Sequence, residues 1–459
     1  MRTSLNKMQI YWRLYRKEIK QTLLLSTPII IGQLGNILMG LFDNAMVGGI
    51  TPVEYGAKAV AAAGVSNALF FLVTVLGFGI MMAVSTLVSI SKAKRDYEAC
   101  GGYLKYAIVS AFLASLVLTA LLAVVILNFD VFVQGEEIQA LGKEYLLIIT
   151  FSTFPLLAGA GIKNFTDGLS FTVPAMVITL VGVVLNIFLN WLLIYGNWGF
   201  EALGLSGAGY ATVISRVFIL ITLLVYVYSA KKIKPYRQLK KGITISSPQL
   251  KEIFKMGLPS GLQYFFEVGA FSAANVMTTW IGPYQSAAHQ IALYLAAVSY
   301  MVSTGFSAGG SIRVGTAFSE GDVKGVRRAG QSALFLVLVC MAVTATVFVV
   351  FNKTLPTYFN TYPDVVYYAS ILLLIAAIFQ FSDGLQAVGL GILRGVKDVI
   401  YPTIVTLVAY WLIGLPVAYY LAFHLNMGVQ GIWYGLTLGL TISAVFLTRR
   451  FLKLSAKSL

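Results

Sequence analysis

Apolar runs of about 20 residues recur along the whole chain, and each is the length a helix needs to cross a hydrocarbon layer of roughly 30 Å. Only 11% of the residues are charged and 58% are hydrophobic. Soluble domains carry roughly a quarter charged residues, so this surface cannot face water on all sides. The runs predict an all-α integral membrane fold with twelve transmembrane helices, over 22–49, 59–90, 106–128, 145–162, 174–196, 207–230, 256–281, 288–312, 330–351, 367–393, 400–423 and 431–448. Spans longer than 25 residues imply tilt or helix continuing past the bilayer. Pro28, Pro155, Pro174, Pro259, Pro402 and Pro416 lie in or near spans and read as kinks rather than breaks.

A formal charge of +15 invites a nucleic-acid reading, which the distribution of the charge excludes. About 29 of the 33 Lys/Arg fall in alternate connections and the two terminal segments, with the densest group in 231–255. The intervening loops hold only Lys58, Lys143 and Lys353, and Arg216 lies inside a span. That asymmetry is the positive-inside pattern, and it puts both termini in the cytoplasm. Basic residues here report topology and contact with anionic lipid. Cys100, in an inside loop, and Cys340, in an apolar run, are not expected to pair.

The two halves resemble each other. Pro28 in STPIIIGQ parallels Pro259 in GLPSGLQY, and Gly77 parallels Gly305 in two small-residue stretches. Pro174 parallels Pro402, and GLSGAGYA from Gly204 parallels GVQGIWYG from Gly428. Six spans per half give both halves the same sense across the bilayer, as two pseudo-symmetric six-helix lobes with a central cleft. The expected divisions are an N-terminal lobe 1–230, a cytoplasmic linker 231–255 and a C-terminal lobe 256–459.

Acids inside spans are costly, about 2.5–3.5 kcal/mol at the helix centre on insertion scales, and they usually face an internal cavity. Glu267 and Asp383 lie near the middle of spans seven and ten, with no Lys or Arg within a turn on their own helices. Unpaired carboxyls there take up a proton or bind a cation, and the alternative is a structural hydrogen bond to a neighbouring helix. Asp43 lies about 10 Å outward of the middle of span one and reads either as an interfacial residue or as a cavity group. Asn36 is seven residues before it, and Asn186 and Asn190 share a face of span five. These asparagines either join Asp43 in a polar patch or serve helix packing. Tyr264, Phe266 and Phe379 crowd the acids; they are either cleft aromatics suited to lipophilic cations or plain packing. His289 and His424 form no cluster, and no metal-ligand spacing or phosphate-cradling motif is present.

Several stretches resemble the NorM branch of the multidrug and toxin extrusion (MATE) transporters. They are Phe165–Gly199, FFEVGAF from Phe265, AAHQIAL from Ala287, GSIRVG from Gly310, SDGLQAVGLGILRGVKD from Ser382 and YWLIGLPVAYYL from Tyr410. The resemblance runs through both halves in family order. It implies a V-shaped pair of six-helix lobes that exports organic cations in exchange for Na⁺ or H⁺. It further implies that Glu267, Asp383 and Asp43 belong to the cation-binding regions, with Na⁺ at Glu267 and Asp383. Phe379 departs from the family, whose members often carry Tyr there, so it offers an ion no hydroxyl. Asn186 carries no charge, which leaves any proton site of the first lobe to Asp43.

These features predict a secondary active multidrug exporter, not an enzyme, working by alternating access on small lipophilic or cationic compounds. No cofactor is expected beyond Na⁺ or H⁺ as coupling ion. The resemblance is to a bacterial branch and implies the bacterial inner membrane; a monomer is expected. A flippase for lipid-linked precursors, from the same superfamily, is the alternative. It calls for a strongly cationic cleft, whereas the intramembrane charges here are mainly acidic, Arg216 excepted.

Overall fold

The computed structural model describes residues 2–237 and 247–456. Residues 238–246 of the expected linker, including Lys240 and Lys241, and Lys457 of the basic tail lie outside the described residues, as do the side chains of Arg2, Lys7 and Arg13. Among the described residues the chain is helical without strands. The helices of the first half are α1 Arg2–Gly48, α2 Val53–Ala93, α3 Tyr97–Leu127, α4 Glu136–Thr150, α5 Thr153–Gly168, α6 Thr172–Tyr195 and α7 Gly204–Ser229. Those of the second are α8 Pro248–Ile281, α9 Pro283–Ser319, α10 Val323–Val350, α11 Pro363–Gly395, α12 Ile400–Leu407, α13 Leu415–Tyr419 and α14 Gly428–Leu454. Wider π-helical turns, Val408–Gly414 and Tyr420–His424, carry α12 and α13 on as one rod, Ile400–His424.

Among the described residues, ten helices are long and apolar enough to cross a membrane, and the pair α4 and α5 makes up to eleven. The less apolar α8 falls outside that set. The span expected over 145–162 is corrected: α4 and α5 are separate helices bent by 43° across a short break. Pro155, three residues into α5, cannot donate to the ladder and clashes with a helix continuing from upstream, so it breaks this span where a kink was expected. Cys100 is also corrected, since it is buried within α3 rather than in a loop.

The sequence repeat is written into the backbone. Left-handed positions recur 224–228 residues apart, at Arg95 and Gly321, Ser170 and Lys397, Trp198 and Asn426, and Gly204 and Gly428. After the first pair the same capping chemistry follows: Asp96 accepts from Ala99 N–H at 2.9 Å, and Asp322 accepts from Gly325 N–H at 2.8 Å. Each aspartate satisfies one of the amides orphaned at a helix start. Asp96→Ala and Asp322→Ala should each remove about 1 kcal/mol of stability. Thermal unfolding in detergent checks this, with Asp→Asn as the variants that keep the acceptor.

By internal packing the chain divides into two compact units, Ile31–Gly261 and Met1–Ile30 with Leu262–Leu459. These differ from the expected divisions at 230 and 256, because α1 and α8 each contribute to both units. Each helix passes over two residues after its proline, Pro28 or Pro259, where the ladder lacks an amide. The first part of α8 lies against α2 within the Ile31–Gly261 unit. A Cβ at Gly257 would sit 2.6 Å from Ile80 Cα, and one at Gly261 would sit 2.5 Å from the Leu76 carbonyl. The first part of α1 lies against α9 in the other unit, with Ile30 over Gly305 and Ser26 over Gly309. Both contacts use a Gly-x-x-x-Gly face, which lets backbones approach where no hydrophobic force drives helices together in lipid.

The core of the Ile31–Gly261 unit gathers Met81, Leu87, Leu104, Leu157 and Phe165. In the other unit, Phe379, Tyr410 and Trp433 form one core and Phe306, Val337 and Phe451 another.

Candidate functional site

The unit containing Leu262–Leu459 brings Glu267 of α8 and Asp383 of α11 together. Both are buried, at 4% and 3% exposure, and their charges act on each other. Tyr300 of α9 lies beside them, and Glu267 Oε2 has no hydrogen-bond partner. Tyr264, Tyr300 and Tyr410 all lie within electrostatic reach of Glu267. Tyr410 in turn donates to Gln386 Oε1 at 2.9 Å. The α11 helix thus carries a buried polar stripe, Gln380, Asp383 and Gln386, at three-residue spacing. Two buried carboxyls, one with an orphaned oxygen, beside tyrosine hydroxyls and glutamine amides, make a polar site that a hard cation or a proton would relieve.

Phe379 stands apart from this chemistry. It is 2% exposed, edge-on to Phe271 at 6.0 Å and tilted against Trp433 at 5.5 Å, so it is packing rather than lining. The missing hydroxyl is offset by three tyrosines on other helices, which sequence reasoning missed apart from Tyr264. Phe266 is half-buried, and its carbonyl accepts from Trp411 Nε1 at 3.0 Å. His289 is fully buried and accepts from Trp433 Nε1 at 3.1 Å. No group of three or more metal-ligating residues occurs among the described residues.

The Ile31–Gly261 unit holds a second cluster. Asp43 of α1 is 8% exposed and accepts from Asn190 Nδ2 at 2.5 Å and from Thr212 Oγ1 at 3.4 Å. Asn190 also donates to Asn186 Oδ1 at 3.4 Å. Asn36 does not join them: it is exposed and donates to Gln33 at 3.4 Å. Sequence reasoning missed Thr212 and left Arg216 unexplained. Both lie on α7, one turn apart, and the Arg216 charge acts on Asp43.

A duplicated, all-helical, multi-span chain with acids buried inside its spans defines an integral membrane protein of the transporter class. The MatE family profile matches residues 28–192 and 259–420, one match per sequence repeat. The probable multidrug resistance protein NorM of Pseudomonas putida is 35% identical over 446 residues, covering 95% of this chain and 94% of its own. The multidrug resistance protein NorM of Aliivibrio fischeri is 32% identical over 448 residues, covering 95% of each. Among solved structures, the eukaryotic MATE transporter AtDTX14 superposes with a TM-score of 0.86 at 22% identity, over 97% of this chain and 98% of its own. The chain belongs to the MATE family.

Proposed function

We propose that this chain is a secondary active multidrug exporter that exchanges lipophilic, often cationic, compounds for Na⁺ or H⁺ by alternating access. The observation that carries the reading is the buried pair Glu267 and Asp383, with one carboxylate oxygen left unpartnered. Such a pair is tolerable in lipid when a mobile cation neutralises it, and binding and release of that cation is what coupling requires. Na⁺ or H⁺ is here a transported substrate, held by Glu267 and Asp383. Each elementary charge moving through 100 mV supplies about 2.3 kcal/mol, enough for a roughly fifty-fold substrate gradient. The NorM relatives are multidrug resistance proteins, and their similarity over nearly the whole chain supports that role here.

The bent pair α4 and α5 and the helix α8 complete a reading of twelve spans in two lobes. The clustering of Lys and Arg in alternate connections supports a bacterial inner-membrane location with both termini cytoplasmic. The protein works as a monomer in this reading. The test is efflux of a cationic dye from proteoliposomes under imposed Na⁺ or pH gradients. Acceleration by one gradient, with no dependence on ATP, is the expected result. Dye movement indifferent to both gradients would remove the proposal.

A further inference from the structure

Two helices of the Leu262–Leu459 unit carry the same order of side chains past the acids. Along α8 stand Phe271, Glu267 and Gln263, and along α11 stand Phe379, Asp383 and Gln386. Steps of three and four residues keep each trio on one face of its helix. The ring pair is in contact, edge-on at 6.0 Å. Tyr410 touches both helices, with its ring 6.2 Å from Phe271 and its hydroxyl donating to Gln386 Oε1 at 2.9 Å.

Gln263, Gln380 and Gln386 are fully buried, and each has one end of its amide tied off. Gln380 accepts at Oε1 from Thr344 Oγ1 of α10 at 2.5 Å, as Gln386 does from Tyr410. Gln263 donates through Nε2 to the Val399 carbonyl at 2.9 Å and to Thr403 Oγ1 at 3.1 Å. The other ends have no partner within the protein: two donors, Gln380 Nε2 and Gln386 Nε2, and an acceptor, Gln263 Oε1, which joins Glu267 Oε2. Buried polar groups are nearly always paired, and a stranded donor is costly. A bare cation would satisfy the acceptors alone, and its charge would face the positive ends of the amide N–H groups. Water satisfies both kinds, because it accepts from an amide and donates to a carboxylate.

We propose that Gln263, Gln380 and Gln386 hold ordered water beside Glu267 and Asp383, so the coupling cation is bound there together with water and not stripped of it. The glutamines are positioning residues: they act on the cation through the water they hold. Gln380 and Gln386 flank Asp383 at three residues on either side, which places the two donors next to the acid on its own helix. The inference rests on the proposed function, since it concerns the same site, but the water is measurable without transport.

Radiolytic footprinting of the purified wild-type protein tests it, because X-ray pulses make hydroxyl radicals from bound water and oxidise the side chains beside it. Tyr410 should be oxidised at least about tenfold faster than Phe165, which is equally buried but lies in an apolar core. Gln380→Leu/Gln386→Leu should cut that labelling at least about fivefold. In proteoliposomes it should raise the half-saturating concentration of the driving cation at least about tenfold, with the maximal efflux rate within about threefold of wild type. Gln380→Leu alone should shift both readouts the same way by less, and it is the gentler change, since Thr344 Oγ1 keeps the Cys340 and Met341 carbonyls at 3.2 Å. Wild-type Tyr410 labelled no faster than Phe165 overturns the inference. So do leucine variants that keep the wild-type half-saturation, because amides serving packing alone would change thermal stability or maximal rate without moving it. The proposed function fails separately, when wild-type efflux ignores both ion gradients while Tyr410 is still labelled.

Discussion

Glu267→Gln should lower cation-driven efflux at least about a hundredfold with the protein still folded. Glutamine keeps the size and an amide oxygen of the side chain, so packing on α8 changes little. It cannot ionise, so it removes the charge that a cation would balance. Asp383→Asn should act in the same direction, because it removes the second buried carboxyl of the same site. Glu54→Gln, which alters an exposed ion pair with Lys58, should leave efflux within about twofold. Efflux in proteoliposomes under a fixed ion gradient measures all three. Full ion-driven efflux by the Glu267 variant would move the coupling site elsewhere.

The second large effect is on stability, and it comes from adding a single methyl group. A Cβ at Gly79 would fall 2.2 Å from the backbone of Gly261, and no rotamer choice moves a Cβ away. Gly79→Ala must therefore push α2 and the first part of α8 apart along their shared face. The lost backbone packing should cost about 3 kcal/mol or more, with a fall in thermal midpoint of several degrees or loss of folded protein from the membrane. Gly64→Ala is the matching control on the same helix. Nothing lies within 4 Å of a Cβ there, so the change should be neutral or slightly stabilising. Fluorescence-detected size exclusion with a heating step separates the two variants. Equal midpoints would show that α2 and α8 yield at this contact without penalty.

Helix positions were legible because apolar length and periodicity survive any tertiary arrangement. Pro28 and Pro259 were read as marks of a repeat, yet an apolar run does not say which neighbours it packs on, so the passage of α1 and α8 between units stayed hidden. Pro155 was read as a kink; the break depends also on Ser152 lying beside a guanidinium from α7, a contact 64 residues away in sequence. Asp43 with Asn190 was foreshadowed by an asparagine pair at helical spacing, and the structure supplies the hydrogen bond. Asn36 stands about 10 Å along the same helix, far enough to leave the buried patch. Tyr300 and Tyr410 gave no signal because aromatics abound in membrane helices; the stripe Gln380, Asp383 and Gln386 on α11 was the readable clue.

The crossing of α1 and α8 has a consequence for how such a chain arose. Neither sequence half is whole by itself: the first thirty residues finish the unit made by the second half, and the opening turns of α8 finish the other. A half-length precursor would have left that place in its own bundle empty, and a second copy filling it would have returned the favour.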